Sequence, residues 1–156
     1  MAMDEIVQLL IFKLGDEEYG VDILQARGIE HLDQGITRVP KAPGFVEGVI
    51  NLRGEIVPIV DLRKRFGRII GDVGFDSRLI IVEVGGNLVG MLVDAIVEVV
   101  RVASSDIRPA PEITRVADSY YLSGVVNVGN RLVVLLNLDR ALSAQEAQVL
   151  PEVKMG

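Results

Sequence analysis

GVINLRGEIVPIVDLRKRF (residues 48–66) lies over GVVNVGNRLVVLLNLDRAL (residues 124–142) without a gap, and this pairing decides the fold. Gly48/Gly124, Val49/Val125, Asn51/Asn127, Val57/Val133 and Leu62/Leu138 are identical, and most other pairs are apolar in both copies. Upstream, LLIFKLGDEEYGVDI (9–23) falls on LIIVEVGGNLVGMLV (79–93), matching Leu9 with Leu79, Gly15 with Gly85 and Gly20 with Gly90. The offset is 70 residues in the upstream block and 76 downstream, so the second copy carries a net insertion of six, expected around SSDIRPAPEI (104–113). Two diverged copies of one small barrel are implied. A unit of about 70 residues is marginal alone, so the copies are expected to bury apolar surface against each other. Their seam is a candidate site, because pockets favour such junctions.

Outside the aligned blocks the pattern is again one of strands. Short Val/Ile/Leu-rich runs recur at VQLLIFKL (7–14), EIVPIV (55–60), RLIIVEV (78–84), LVGMLV (88–93), AIVEVVRV (95–102) and RLVVLLNL (131–138), separated by Gly- and Asn-bearing turns. Runs this short and β-branched suit a closed or nearly closed antiparallel sheet rather than a helical bundle. Helix is a minority element. SAQEAQVL (143–150) is the clearest case, with Ser143 as N-cap and Glu146 completing a capping box; the last residues, PEVKMG, are expected to fray.

Composition narrows the function classes. The net charge of −6 leaves no diffuse basic surface for phosphates, and seven aromatic residues (four Phe, three Tyr, no Trp) offer few platforms for stacked bases, so nucleic acid is not an expected partner. The absence of cysteine removes disulfides, thiolate nucleophiles and cysteine metal sites, and fits a cytoplasmic location. The N-terminus lacks the basic start and small-residue cleavage site of a signal peptide. Runs such as LVVLLNL (132–138) fall far short of the roughly 20 residues of a membrane helix, so no direct membrane insertion is expected.

Catalytic signals are thin. His31 is the only imidazole, so metal sites would need carboxylates alone; none is expected, and no cofactor motif of the G-x-G-x-x-G or Walker A type occurs. The serines show no nucleophile-elbow pattern. Asp61, Asp94 and His31 could form a carboxylate-dependent enzyme site only by clustering at the seam.

Two features of the first copy call for explanation. Pro58 stands where the second copy has Val134, and a proline in a strand marks an edge, a bulge or a strand start, either shaping a docking edge or blocking aggregation. Asn51-Leu52-Arg53-Gly54 is a tight turn with Leu52 and Arg53 expected at its tip. The second copy has Gly129 in place of Arg53, so the arginine is not needed to close the turn, which raises the case for binding.

These segments resemble the CheW-type chemotaxis coupling (adaptor) proteins. The resemblance rests on LGDEEYGVDIL (14–24), VPKAPGFVEGVINLRGEIVPIVDLRKRF (39–66), VGMLVDAIVEV (89–99), IRPAPE (107–112) and YLSGVVNVGNRLVVLLNLDRAL (121–142), and covers nearly the whole chain. It implies an all-β fold with short helices: two SH3-like five-stranded β-barrel subdomains related by internal duplication, with a C-terminal helix. On that basis residues 1–156 form a single domain, with the first barrel over about 10–78, the second over about 79–142, an N-terminal strand free to cross over, and the helix at 143–150.

The implied function is a non-enzymatic scaffold that couples the cytoplasmic tip of a methyl-accepting chemoreceptor to the regulatory domain of the chemotaxis histidine kinase, with self-association in array rings. It would lie in the cytoplasm, recruited to the inner face of the membrane by the receptors. Family receptor contacts map onto Ala26, Ile29, Gly48, Asn51, Leu52 and Arg53, with Val89 and Gly90 as a second wall. Kinase-facing or ring-forming contacts resemble Ile36, Thr37 and Val39 on one side and Arg108, Glu112 and Ile113 on the other. The chain departs from the family at Ala26-Arg27-Gly28-Ile29, where the glutamate expected to pair with the turn arginine is Gly28. Glu30, two residues on, projects to the same face of an extended segment and is expected to take over as the partner of Arg53. Homologous domains also occur fused to a receiver domain or within the kinase itself, and the chain's length favours the free-standing adaptor.

Overall fold

The computed structural model describes residues 5–32, 35–38, 40, 46–65, 74, 76–109 and 122–143. Ten strands follow in order: β1 (Ile6–Leu14), β2 (Glu17–Asp22), β3 (Ala26–Glu30), β4 (Val46–Leu52), β5 (Glu55–Asp61), β6 (Arg78–Val84), β7 (Asn87–Val93), β8 (Ala95–Ala103), β9 (Leu122–Val128) and β10 (Arg131–Leu136). A helical turn, α1 (Leu62–Arg65), follows β5, and a π-helical turn (Asp139–Ser143) follows β10. The helix expected over 143–150 lies outside the described residues beyond Ser143.

The strands form two five-stranded sheets, β8-β1-β2-β10-β9 (sheet I) and β3-β6-β7-β5-β4 (sheet II). The approximate division at residue 78 left the N-terminal strand free to cross over; in this order β1 crosses together with β2, and β6–β7 cross the other way. Each sheet combines the first hairpin of one repeat with the last three strands of the other, so sheet I takes β1–β2 and sheet II takes β6–β7 in exchange.

The side-chain alternation of the exchanged hairpins gives the physical reason. Leu9 and Ile11 of β1 point into a cluster with Val126, Val133 and Leu135 of sheet I. The intervening Leu10, Phe12 and Leu14 join Ile80, Val82, Val84 and Met91 of sheet II in a cluster shared by both sheets. In β6, Leu79 and Ile81 turn the other way, into a cluster with Val57, Ile59 and Leu92. Strands that are buried on both faces read as continuous apolar runs, as QLLIFKL and RLIIVEV do. Exchanging the hairpins places these doubly apolar strands in the middle of the molecule. The seam expected to hold a pocket is therefore occupied by side chains.

Pro58 proves to lie on neither an edge nor a bulge. β5 pairs with β4 on one side and runs parallel to β7 on the other. Val49, opposite Pro58, directs its N–H and C=O to Thr37 (2.8 and 2.9 Å), away from β5, so the proline has no ladder bond to supply there. Its ring nitrogen instead faces the β7 side, and the parallel ladder starts one residue later, at Ile59↔Gly90. The equivalent ladder of the other sheet, β10 with β2, keeps the same register (Leu135↔Gly20) but begins two residues earlier, at Val133. A missing N–H donor accounts for the difference.

The repeat also explains its own invariant glycines. Thr37 bridges to Val49 across the outer edge of β4, and Arg108 bridges to Val125 across the outer edge of β9. A Cβ on Gly48 would lie 2.1 Å from the Thr37 carbonyl oxygen, and one on Gly124 would lie 2.6 Å from that of Arg108. Both positions are crossed so closely by backbone that only glycine fits. Thr37 and Arg108 are 71 residues apart and the glycines 76, so five of the six inserted residues fall between Arg108 and Gly124, an interval that overlaps the expected 104–113.

Candidate interaction surface

Arg53 and Gly54 form the two-residue connection between β4 and β5, with φ of 51° and 89°. Positive φ at both positions is the type I′ hairpin geometry whose twist matches the flanking strands. Asn51 secures the turn by accepting from the Gly54 N–H at 2.9 Å. Arg53 is the one described non-glycine residue with positive φ. Its counterpart Gly129 has φ of 62°, so the same geometry is reached there at no steric cost. The first copy thus carries a guanidinium at a strained position where the second has glycine.

That guanidinium is held by Glu30, with Arg53 Nη2 3.4 Å from Glu30 Oε2 and donating to it. Glu30 ends β3 and Arg53 tips the β4–β5 hairpin, so the pair joins the first and last strands of sheet II where no ladder does. An ideal Cβ at Gly28 would stand 3.8 Å from Glu30 Oε2, on the same side of the strand. In sheet I, Arg131 at the start of β10 pairs with Glu98 of β8 and with Glu18 of β2 (3.1 Å), tying β10 to the edge strand β8. The Arg131 pKa is raised, first by its hydrogen bond to Glu98.

Beside the Arg53–Glu30 pair a cavity of about 160 Å³ opens between β3 and β4. Ile50, Leu52 and the fully buried Leu79 line it on the apolar side, and Glu30, His31 and Asn51 on the polar side.

The other sequence-predicted residues are distributed more widely than one groove. Leu52 is half-buried against the sheet II cluster, so Arg53 alone stands at the turn tip. Ile29 is exposed, and it pairs with Ile80 of the shared cluster, which puts it on the opposite face of β3 from Glu30. Ala26 packs against that shared cluster, and Gly48 lies buried beneath Thr37. Val89 and Gly90 are corrected: Val89 is fully buried in the shared cluster, and Gly90 is walled in by Ile59, so neither offers a second wall. Ile36 packs on the sheet II cluster beside exposed Thr37. Thr37 and Arg108 are repeat-related, one on each sheet. Val39, Glu112 and Ile113 lie outside the described residues.

Sequence reasoning missed two features. Exposed Ile56 and Leu132 occupy equivalent positions, 76 residues apart, at the start of β5 and β10. The signal was present in their alternation with buried Val57 and Val133. The second is an ionic cluster. Arg63 donates through Nε and Nη2 to Asp61 (3.1 and 3.0 Å) and through Nη1 to Asp94 (3.1 Å). The hydrogen bond to Asp61 chiefly raises the Arg63 pKa, against the opposing effect of burial.

The two carboxylates of the alternative enzyme reading, Asp61 and Asp94, are engaged by one cation, while His31 lines the separate cavity beside Glu30, so the three do not cluster in one pocket. Among the described residues no group of three His, Cys, Asp or Glu is placed to hold a metal ion. No helix among them is long and apolar enough to cross a membrane.

Comparison with known proteins bears on this arrangement. The model of the CheW-like domain family matches residues 8–146. The chain is 39% identical to the chemotaxis protein CheW of Klebsiella aerogenes over 94% of this chain and 87% of the relative. It is 33% identical to the protein of the same name from Treponema pallidum, over 94% of this chain and 88% of the relative. Among solved structures, the scaffolding protein TtCheW from Thermoanaerobacter tengcongensis superposes with a TM-score of 0.79 at 36% identity, covering 86% of this chain and 89% of that one.

Proposed function

The chain belongs to the CheW-like domain family, and from that premise we propose that it bridges a chemoreceptor tip and the regulatory domain of the chemotaxis histidine kinase. It is a non-enzymatic scaffold of chemotaxis. The finer assignment of partners rests on one observation above the others: Arg53 is strained, exposed and oriented by Glu30, at a turn that its repeat counterpart closes with glycine. An arginine placed so offers a forked donor to a carboxylate on a docking helix. The neighbouring apolar surface, from Leu52 and Ile50 at the cavity, would receive an apolar side chain of that helix.

The kinase is assigned to the surfaces around Ile36 and Thr37 on sheet II and Arg108 on sheet I. Their repeat relationship supports a second role. Two related but non-identical edges on opposite sheets suit a head-to-tail association, which closes into rings when the rotation permits. The protein works in the cytoplasm, gathered at the inner membrane face by its receptors.

Titrating a receptor-tip fragment and a kinase regulatory domain, separately, into wild type and Arg53→Asp tests the assignment. The variant should lose receptor affinity and keep its kinase affinity. Equal loss of both would mean misfolding, and loss of neither would remove Arg53 from the interface.

A further inference from the structure

The ionic cluster adds side-chain ties among segments that already meet through the β1–β8 ladder (Lys13↔Ala95) and the β7–β8 crossover. Asp61 ends β5 of sheet II, and Asp94 occupies the single residue at which the chain leaves β7 of sheet II for β8 of sheet I. Asp94 Oδ1 accepts from Arg63, and its other oxygen accepts from the Gly15 N–H at 2.6 Å, in the β1–β2 turn of sheet I. The Asp94 N–H donates to the Lys13 carbonyl of β1 at 3.0 Å. A continuous line of charge-assisted hydrogen bonds therefore runs from β5, through Arg63 and Asp94, to the tip of a hairpin in the opposite sheet.

Two facts set this cluster apart from ordinary surface pairing. Asp61 is 1% exposed and Arg63 6%, so both charges have been taken out of water. Desolvation makes a buried ion pair a poor source of net stability compared with apolar residues of similar volume, whereas its directional bonds fix one arrangement of the groups it joins. The cluster is also one-sided. Its repeat counterparts are Asn137 for Asp61, Asp139 for Arg63 and the exposed Leu24 for Asp94, so the equivalent junction has no cation at the arginine position.

We infer that Arg63 is a positioning residue that sets the orientation of sheet II on sheet I, and through it the spacing between the receptor-facing turn and the Arg108 edge. The inference rests on the proposed bridging function. β5 carries the connection: it begins directly after Arg53-Gly54 and ends at Asp61. The shared apolar cluster holds the sheets together, but apolar contacts permit sliding. Arg63 and Asp94 select one setting, in which both partners are engaged at once.

The test uses the full chain, which has no cysteine of its own. Cysteines introduced at Ile56 on sheet II and Leu132 on sheet I, both exposed, take spin labels for a distance measurement. Wild type should give one narrow inter-label distance. Arg63→Met and Asp94→Asn should broaden or shift it while leaving the β-sheet circular dichroism intact.

In parallel, each variant should bind the receptor-tip fragment and the kinase regulatory domain separately as wild type does. Each should lose about tenfold in kinase affinity when the receptor fragment is already bound. Arg63→Lys, which can reach only part of the pair, should fall between. If Arg63→Met does not fold, Asp94→Asn decides alone, since it keeps the Arg63–Asp61 pair. An unchanged distance in Asp94→Asn, or unchanged binding of both partners together, overturns the inference. Wild type that binds neither partner overturns the bridging function instead, and with it the coupling, whatever the labels report.

Discussion

Replacing Arg53 by glycine should separate binding from folding. Its φ of 51° costs a non-glycine residue about 1–2 kcal/mol, which the substitution returns. Against that gain stand the extra chain entropy of glycine, about 0.5–1 kcal/mol, and the loss of the Glu30 pair. That pair contributes about 0–1 kcal/mol at most, because the Arg53 side chain is 79% exposed. The sum lies between a loss of about 1 kcal/mol and a gain of about 1.5 kcal/mol, and the melting temperature stays within about 6 °C of wild type. Gly129, with φ of 62° in the equivalent turn, is the precedent within the same chain.

Receptor binding should behave otherwise. Removing a cation that hydrogen-bonds a partner carboxylate costs about 1.5–3 kcal/mol, or about 10- to 150-fold in affinity. Thermal unfolding and calorimetric titration with a receptor-tip fragment read the two quantities independently. A stability loss above about 2 kcal/mol would mean that the arginine holds the turn together, contrary to its geometry. Unchanged receptor affinity would mean that the strain at Arg53 has no part in docking.

The crossed glycines give a graded stability test. Gly48→Ala should lower stability by about 3–4 kcal/mol, from two severed Thr37–Val49 backbone bonds and a strained φ of 146°, measured by denaturant unfolding. Gly124→Ala should cost less, since its clash is milder and its φ is ordinary. Gly28→Ala has 3.8 Å of clearance and should stabilise by about 0.5–1 kcal/mol; a loss there would show that β3 is misplaced. Val89→Ala should cost about 2–3 kcal/mol as a core cavity, with both partner affinities per folded molecule unchanged.

Much of this was legible in the sequence because duplication made the chain its own control. Gly48 and Gly124 stood out as identical in the two copies, though only the structure shows backbone crossing backbone there, and Arg53 against Gly129 marked a residue the turn does not need. The Glu30 position followed from the two-residue period of an extended strand. What the pattern could not carry was adjacency. A β1 buried on both faces has the same sequence whether its neighbour is β8 or β3, so the pattern left the N-terminal strand free to cross over without showing that β1–β2 and β6–β7 exchange as whole hairpins. Val89 failed for the same reason, since a resemblance to a binding position does not tell which face of a doubly buried strand it occupies. Pro58 suggested an edge because the ladder partner it lacks, the stretch of β7 before Gly90, is set by a parallel pairing distant in sequence. Arg63 and Asp94 sit 31 residues apart and meet only through that topology.

Titration of the purified protein against a receptor-tip fragment and a kinase regulatory domain, each alone and then both together, tests the bridging function most directly. Each should bind alone and the two should bind at once, in a complex containing all three. Binding of neither would contradict it, and so would a strict competition in which the receptor fragment displaces the kinase domain.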